Sequence, residues 1–182
     1  IRLIKEGHTV LLVGGTAEAR RFHPEQWHNE VIDCQGKYSI PETASIIEQC
    51  DVFVANDSGP AHIAASLGVK TLVLFGPTLQ SKNLPSGSQV NAVSAHLPCS
   101  PCQYTPRWRR CSDWRCMKEI GVEDVLYHIS IKQENKRERS NTQKHNIQDK
   151  RNIFIIGLRR SGTTVFWETF RQDKRFVCFD EP

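Results

Sequence analysis

The sequence predicts an α/β fold: a parallel sheet with helices on both faces. Three observations predict it. Short apolar runs recur along the first 130 or so positions, separated by stretches of helical spacing. The runs are continuous rather than alternating, as suits strands buried on both faces. Glycine or proline stands where a run or a helix should end, at Gly14-Gly15, Gly68 and Gly76-Pro77.

The elements follow in chain order. Residues 8–15, HTVLLVGG, read as a buried strand, and 30–34, EVIDC, as a weaker one. Residues 40–50, IPETASIIEQC, read as a helix with Pro41 in its first turn and Ile46 and Ile47 turned inward. DVFVA (51–55) is a strand, 59–67 a helix closed by Gly68, and KTLVLF (70–75) another strand. QVNAVSA (89–95) adds a further strand, and 97–117 form a loop rich in Pro, Cys and Arg. In 122–131 the apolar residues at 122, 125, 126 and 129 have helical spacing. The layered domain is therefore expected over residues 1–132.

Residues 133–151 differ in kind. They hold six Lys or Arg, three acids, no aromatic residue and one aliphatic, Ile147. Such a stretch cannot bury a core and reads as a basic, disordered linker. It offers no rings on which bases could stack, so no nucleic-acid partner is expected. The pattern then restarts over 152–182: a strand NIFIIG (152–157), a glycine loop, a helix at 165–170 and a second strand at 175–179. This is an incomplete P-loop-like strand–loop–helix. The chain opens on Ile1, and we expect it to be part of a longer polypeptide.

Composition limits the classes. The 182 residues are 38% hydrophobic with a net charge of +4 and a mean hydropathy of −0.46. No apolar run approaches the ~20 residues that cross a bilayer, and no secretory leader is evident at the start. Seven cysteines, with Cys34, Cys50 and Cys178 among apolar neighbours, fit a reducing compartment better than a disulfide framework. Cys99, Cys102, Cys111 and Cys116 form C-x2-C-x8-C-x4-C, which leaves three readings: zinc ligands, a disulfide pair, or packed free thiols. Arg107, Arg109, Arg110 and Arg115 interleave with Trp108 and Trp114, as a contact for an anionic acceptor or lipid or as a solvated loop.

The polar break Asp57-Ser58-Gly59-Pro60-Ala61-His62 lies between a strand and a helix. Asp57 or Ser58 could cap the helix by accepting from its free N–H groups. Alternatively, Gly59 lets a ligand reach the backbone, the helix N-terminus favours a phosphate, and His62 could donate to it or to an attached sugar. Both readings are open on the residues alone.

From Val13 to about Val125 the chain resembles glycosyltransferase family 9, the ADP-heptose:lipopolysaccharide heptosyltransferase-like enzymes. The segments that carry the resemblance are LLVGGTAEAR, IIEQCDVFVANDSGPAHIAASLGVKTLVLFGPT and LPCSPC with CSDWRCMKEIGVEDVL. The resemblance implies the C-terminal, Rossmann-like, donor-binding half of a GT-B enzyme. It implies that backbone N–H groups at Ser58 and Gly59 hold the diphosphate of an ADP-heptose-like nucleotide sugar, with Asp57 and His62 beside it. Glu18 would contact ribose or base, and Phe75 to Thr78 would line the nucleotide pocket. It implies no metal and no cofactor for sugar transfer, and a general base in another domain. The acceptor would be a surface glycan or a lipid A core, and the enzyme cytoplasmic, peripheral at the inner face of the membrane. A non-catalytic nucleotide-binding module and an epimerase-like enzyme are the alternatives.

Residues 157–164 scan as G-x-x-x-x-G-T-T, with Thr163 where a nucleoside triphosphatase has lysine. IFIIGLRRSGTTVFWETF and FDEP resemble the start of the sulfotransferases. By that resemblance residues 152–182 would be the truncated start of a sulfotransferase fused to the glycosyltransferase, and Arg160, Ser161, Gly162, Thr163 and Thr164 would bind the phosphosulfate of 3′-phosphoadenylyl sulfate as cosubstrate; sulfate transfer as the parent protein's main activity is a further alternative.

Overall fold

The computed structural model describes residues 2–19, 30–129 and 152–156. The strands are β1 (Thr9–Leu12), β2 (Ile32–Asp33), β3 (Val52–Asn56), β4 (Lys70–Phe75), β5 (Val90–Ser94) and β6 (Asn152–Ile156). The helices are α1 (Arg2–Lys5), α2 (Thr16–Ala19), α3 (Ile40–Glu48), α4 (Gly59–Ser66), α5 (Gln80–Asn83), α6 (Pro106–Arg110) and α7 (Arg115–Lys118), with α8 over 122–129. The short α1, α5, α6 and α7 carry too few periodic apolar residues to be read from sequence.

The six strands form one parallel sheet in the order β2-β1-β6-β3-β4-β5. Alternate residues of the central strands serve two apolar layers. Val52, Val54, Leu72 and Leu74 pack with Met117, Ile120, Val125, Leu126 and Ile129. Phe53, Ala55, Val73 and Phe75 pack with Ile47, Ala61 and Ala64. α7 and α8 thus cover one face, α3 and α4 the other, as the continuous apolar runs required.

The strand 152–156 departs from the expected domain boundaries. It does not found a separate sheet. It lies between β1 and β3, with Phe154 paired to Leu11 on one side and to Phe53 on the other. A slot paired along both edges suits a continuous apolar run, and NIFII is one. The stretch between α8 and β6 also exceeds the dozen or so residues a parallel crossover needs. The linker expected over 133–151 lies outside the described residues.

Local signals hold at the helix ends. Glu42 accepts from the Ser39 N–H and hydroxyl at 2.8 and 2.6 Å, which closes the first turn of α3 and draws the Glu42 pKa down. α4 ends at Gly68, with φ +74°, where its N–H reaches the Ala65 carbonyl and that of Val69 the Ala64 carbonyl. Lys70 Nζ donates to the Ile129 carbonyl at 2.7 Å, at the end of α8.

The loop 97–117 is fastened to the turn after β4. The Ser100 hydroxyl donates to the Gly76 carbonyl, and the Cys102 and Gln103 N–H groups share the Pro77 carbonyl at 2.9 and 2.8 Å. A Cβ on Gly76 would lie 2.2 Å from Met117 Sδ and 2.7 Å from its Cγ, and Met117 is 2% exposed. With no room for Met117 to withdraw, Gly76→Ala is expected to destabilise the fold by about 1–3 kcal/mol, read as a lower urea midpoint at unchanged slope.

Candidate functional site

The carboxyl edge of the sheet gathers the polar residues. All five residues of β3 are buried, including Asn56 at 2% exposure, and among the described residues its Nδ2 has no hydrogen-bond partner. An unsatisfied buried amide is costly, and a ligand acceptor at this point would relieve it. Sequence reading passed over Asn56. The signal was there: an amide closing an otherwise apolar strand.

Asp57 and Ser58 then turn the chain into α4. The expected cap does not form. Ser58 is extended, and its hydroxyl donates back to the Asn56 carbonyl at 3.0 Å. The Asp57 carboxylate accepts instead from Asn83 Nδ2 of α5 at 2.6 Å. Among the described residues no side chain caps α4. Its N-terminal amides and the positive end of its dipole are left for another acceptor. Gly59 is exposed, and a Cβ there would meet no heavy atom within 4 Å. Ala61 and Ala64 are fully buried beneath, so α4 packs close to the sheet through small side chains while His62 is exposed on its outer side.

The remaining expected residues divide. Glu18 lies in α2, which Gly36 holds closely: with φ +64°, a Cβ on it would come 3.1 Å from Thr16 Cα. Thr78 borders a cleft of about 620 Å³ at the ends of β4 and β5, whose described lining includes Phe75, Gly76, Thr78, Ser94, His96 and Ser100 but none of residues 56–62. Asn83 in α5 connects the cleft side to the Asp57 turn; nothing in the sequence announced that pairing. Arg160, Ser161, Gly162, Thr163 and Thr164 lie outside the described residues.

Among the described residues Cys34, Cys50, Cys99, Cys102, Cys111 and Cys116 are free thiols, and no three His, Cys, Asp or Glu side chains are gathered as a metal-ligand set. Burial pushes the Cys116 thiol up to about 12, with Cys102, Cys99 and Cys111 adding to the rise. Burial also raises Cys102, Cys34 and Cys50. The protonated thiol is the form the fold favours. Stability is therefore intact below the ordinary thiol value of 9.0 and declines as pH rises from there toward about 12, which an alkaline melting series should show. A thiol-reactive label at neutral pH is expected to reach the partly exposed Cys99 and Cys111 before Cys102 and Cys116. Arg115 is engaged by Asp113 at 2.7 Å and Glu119 at 3.7 Å, whereas Arg107, Arg109 and Arg110 are exposed along α6. Among the described residues no helix is long and apolar enough to cross a membrane.

Comparison with known proteins bears on this edge. The family model described as glycosyltransferase family 9 (heptosyltransferase) matches residues 1–111. The chain is 31% identical over 134 residues to lipooligosaccharide heptosyltransferase 2 of Campylobacter jejuni, covering 68% of this chain and 41% of that protein. It is 34% identical over 97 residues to the Haemophilus influenzae protein of the same name, covering 50% of this chain and 28% of that one. In fold it is similar to the Escherichia coli ADP-heptose lipopolysaccharide heptosyltransferase II, with a TM-score of 0.57 at 19% identity over 75% of this chain and 39% of that one. The chain thus spans about two fifths of the length of the first of these relatives. The matched stretch runs through β1, the Asp57–His62 turn and the cleft beyond it, and on that match the chain belongs to glycosyltransferase family 9.

Proposed function

We propose that this chain is the donor-binding half of a heptosyltransferase and that the N-terminus of α4 holds the diphosphate of a nucleotide sugar. The observation that carries the reading is the uncapped α4 terminus at the carboxyl end of β3, open at Gly59 and flanked by the unpartnered Asn56 amide. Convergent N–H groups with a helix dipole behind them suit a doubly charged phosphate pair. The group stabilised best there is the departing diphosphate, whose negative charge grows as the anomeric C–O bond breaks.

On this reading the donor is ADP-heptose and the acceptor a hydroxyl of a lipopolysaccharide core. The acceptor oxygen forms the new bond to the anomeric carbon, the diphosphate leaves with its electron pair, and the hydroxyl proton passes to a general base from a second α/β domain in a GT-B arrangement. His62, exposed one turn into α4, is placed to donate to the leaving phosphate or the sugar. The transfer uses helix amides in place of a divalent cation, so a chelator should leave donor binding unchanged. Calorimetry of the folded chain with ADP and with ADP-heptose tests the reading. Heat from both is expected; no heat from either would refute it.

A further inference from the structure

We propose that Asn83 is a positioning residue: it holds the Asp57 carboxylate off the N-terminus of α4 and so keeps the Gly59 N–H open to an anion. The inference rests on the reading of that terminus as an anion site. Asp57 and Ser58 are both residue types that cap helices, and neither caps α4. The Ser58 hydroxyl turns back to the Asn56 carbonyl at 3.0 Å. The Asp57 carboxylate is drawn the other way, to Asn83 Nδ2 at 2.6 Å, 26 residues further along the chain. Without such a partner an aspartate side chain readily accepts from the N–H two residues on, closing a local turn. For Asp57 that N–H belongs to Gly59, and among the described residues it has no backbone partner. The next two positions offer no substitute. Pro60 has no N–H, and the Ala61 N–H donates to the Ser58 carbonyl at 3.2 Å. A released carboxylate would therefore take the open donor and put a negative charge where an anion is to bind. Asn83 is anchored for this task. It ends α5, where its own N–H reaches the Leu79 carbonyl at 3.0 Å and the Leu84 N–H the Gln80 carbonyl at 2.9 Å. Leu84 packs against the apolar layer that includes Ala61 and Ala64 of α4. Being neutral, the Asn83 amide orients the carboxylate without drawing the anion to itself.

Calorimetry with ADP and amide-resolved NMR of the full 182-residue chain test the proposal. Asn83→Ala is expected to weaken ADP binding about tenfold while the melt stays cooperative. Without any ligand, the Gly59 amide proton of that variant is expected to move downfield as the Asp57 carboxylate accepts from it. Removing the carboxylate should undo both effects. Adding Asp57→Ala to Asn83→Ala is expected to recover most of the lost affinity and to return the Gly59 resonance. The reciprocal pair, Asp57→Asn with Asn83→Asp, keeps the hydrogen bond with donor and acceptor exchanged. It is expected to bind ADP more tightly than Asn83→Asp alone. A contact that merely braced α5 against the turn would show no such recovery. Should Asn83→Ala not fold, Asn83→Asp and the reciprocal pair make the same comparison with the side-chain volume kept. Unchanged ADP affinity in the folded Asn83 variant, an unmoved Gly59 resonance, or a loss that deleting the carboxylate does not recover would overturn the proposal. If ADP fails to bind the parent chain while the Gly59 resonance still moves in Asn83→Ala, the diphosphate cradle fails and the positioning of Asp57 by Asn83 stands.

Discussion

Glutamate in place of Gly59 is expected to weaken ADP binding by about a hundredfold or more while leaving the fold intact or slightly firmer. The two effects have opposite signs for one physical reason. Gly59 is the first residue of α4, where the helix dipole is positive. A carboxylate there is favourable to the helix by about 0.3–1 kcal/mol. The same carboxylate occupies the place proposed for the diphosphate and repels it. Steric strain does not confuse the outcome, because a Cβ at Gly59 meets nothing within 4 Å. Calorimetry with ADP beside a thermal melt reads both quantities. Undiminished binding in a folded variant would remove the diphosphate from this terminus. Gly59→Ala gives a graded version, adding bulk without charge.

Ending the chain at residue 132 is expected to abolish cooperative unfolding, although the apolar patterning alone suggests that residues 1–132 stand as a domain. β6 supplies the partner that β1 and β3 both lack without it. Its loss opens two strand edges in the centre of the sheet, where backbone groups have no water to bond and each unpaired group costs about 1–3 kcal/mol. Against a typical total stability of about 5–15 kcal/mol, several such losses are decisive. Phe154→Pro makes the same test within the full chain, since proline removes a ladder donor and is not accommodated in a central strand. Both proteins should show a broad, non-cooperative melt where the parent shows a sharp one. A truncated chain that melts cooperatively at the parent's temperature would contradict the strand order.

Gly76→Ala and the alkaline melting series report on a different contact, the packing of the cysteine loop against the turn after β4. Gly76 sits under Met117, and Cys116 is the thiol raised to about 12. That loop also brings Ser100 and Pro101 to the cleft. Loosening it is therefore expected to disturb the cleft before the α4 terminus, whose connections run through Asn56 and Asn83 instead.

Much of the molecule was legible in the sequence because the signals are local. Continuous apolar runs marked β3 and β4, since a strand covered on both faces has no polar side to show, and apolar runs marked β1 and β6 as well. Apolar spacing placed 122, 125, 126 and 129 on one buried side of α8, and a glycine ended α4. The Asp57–His62 turn stood out as a polar break between buried elements. Local pattern could not say which strands neighbour one another. Strand order is decided by pairing between segments far apart in the chain, so only the tertiary structure put 152–156 between β1 and β3. Side-chain partnership is decided in the same way. Asp57 and Ser58 look like helix caps until Asn83 and the Asn56 carbonyl claim them. Thr78 is brought by the turn after β4 to the same cleft as Ser94 and His96, which lie some 16 to 18 positions further on. By itself the sequence determined the main strands and the longer helices, the family resemblance and the polar break before α4. Only the tertiary structure decided which polar groups were left unpaired at the sheet's edge, because that depends on which distant groups arrive there first.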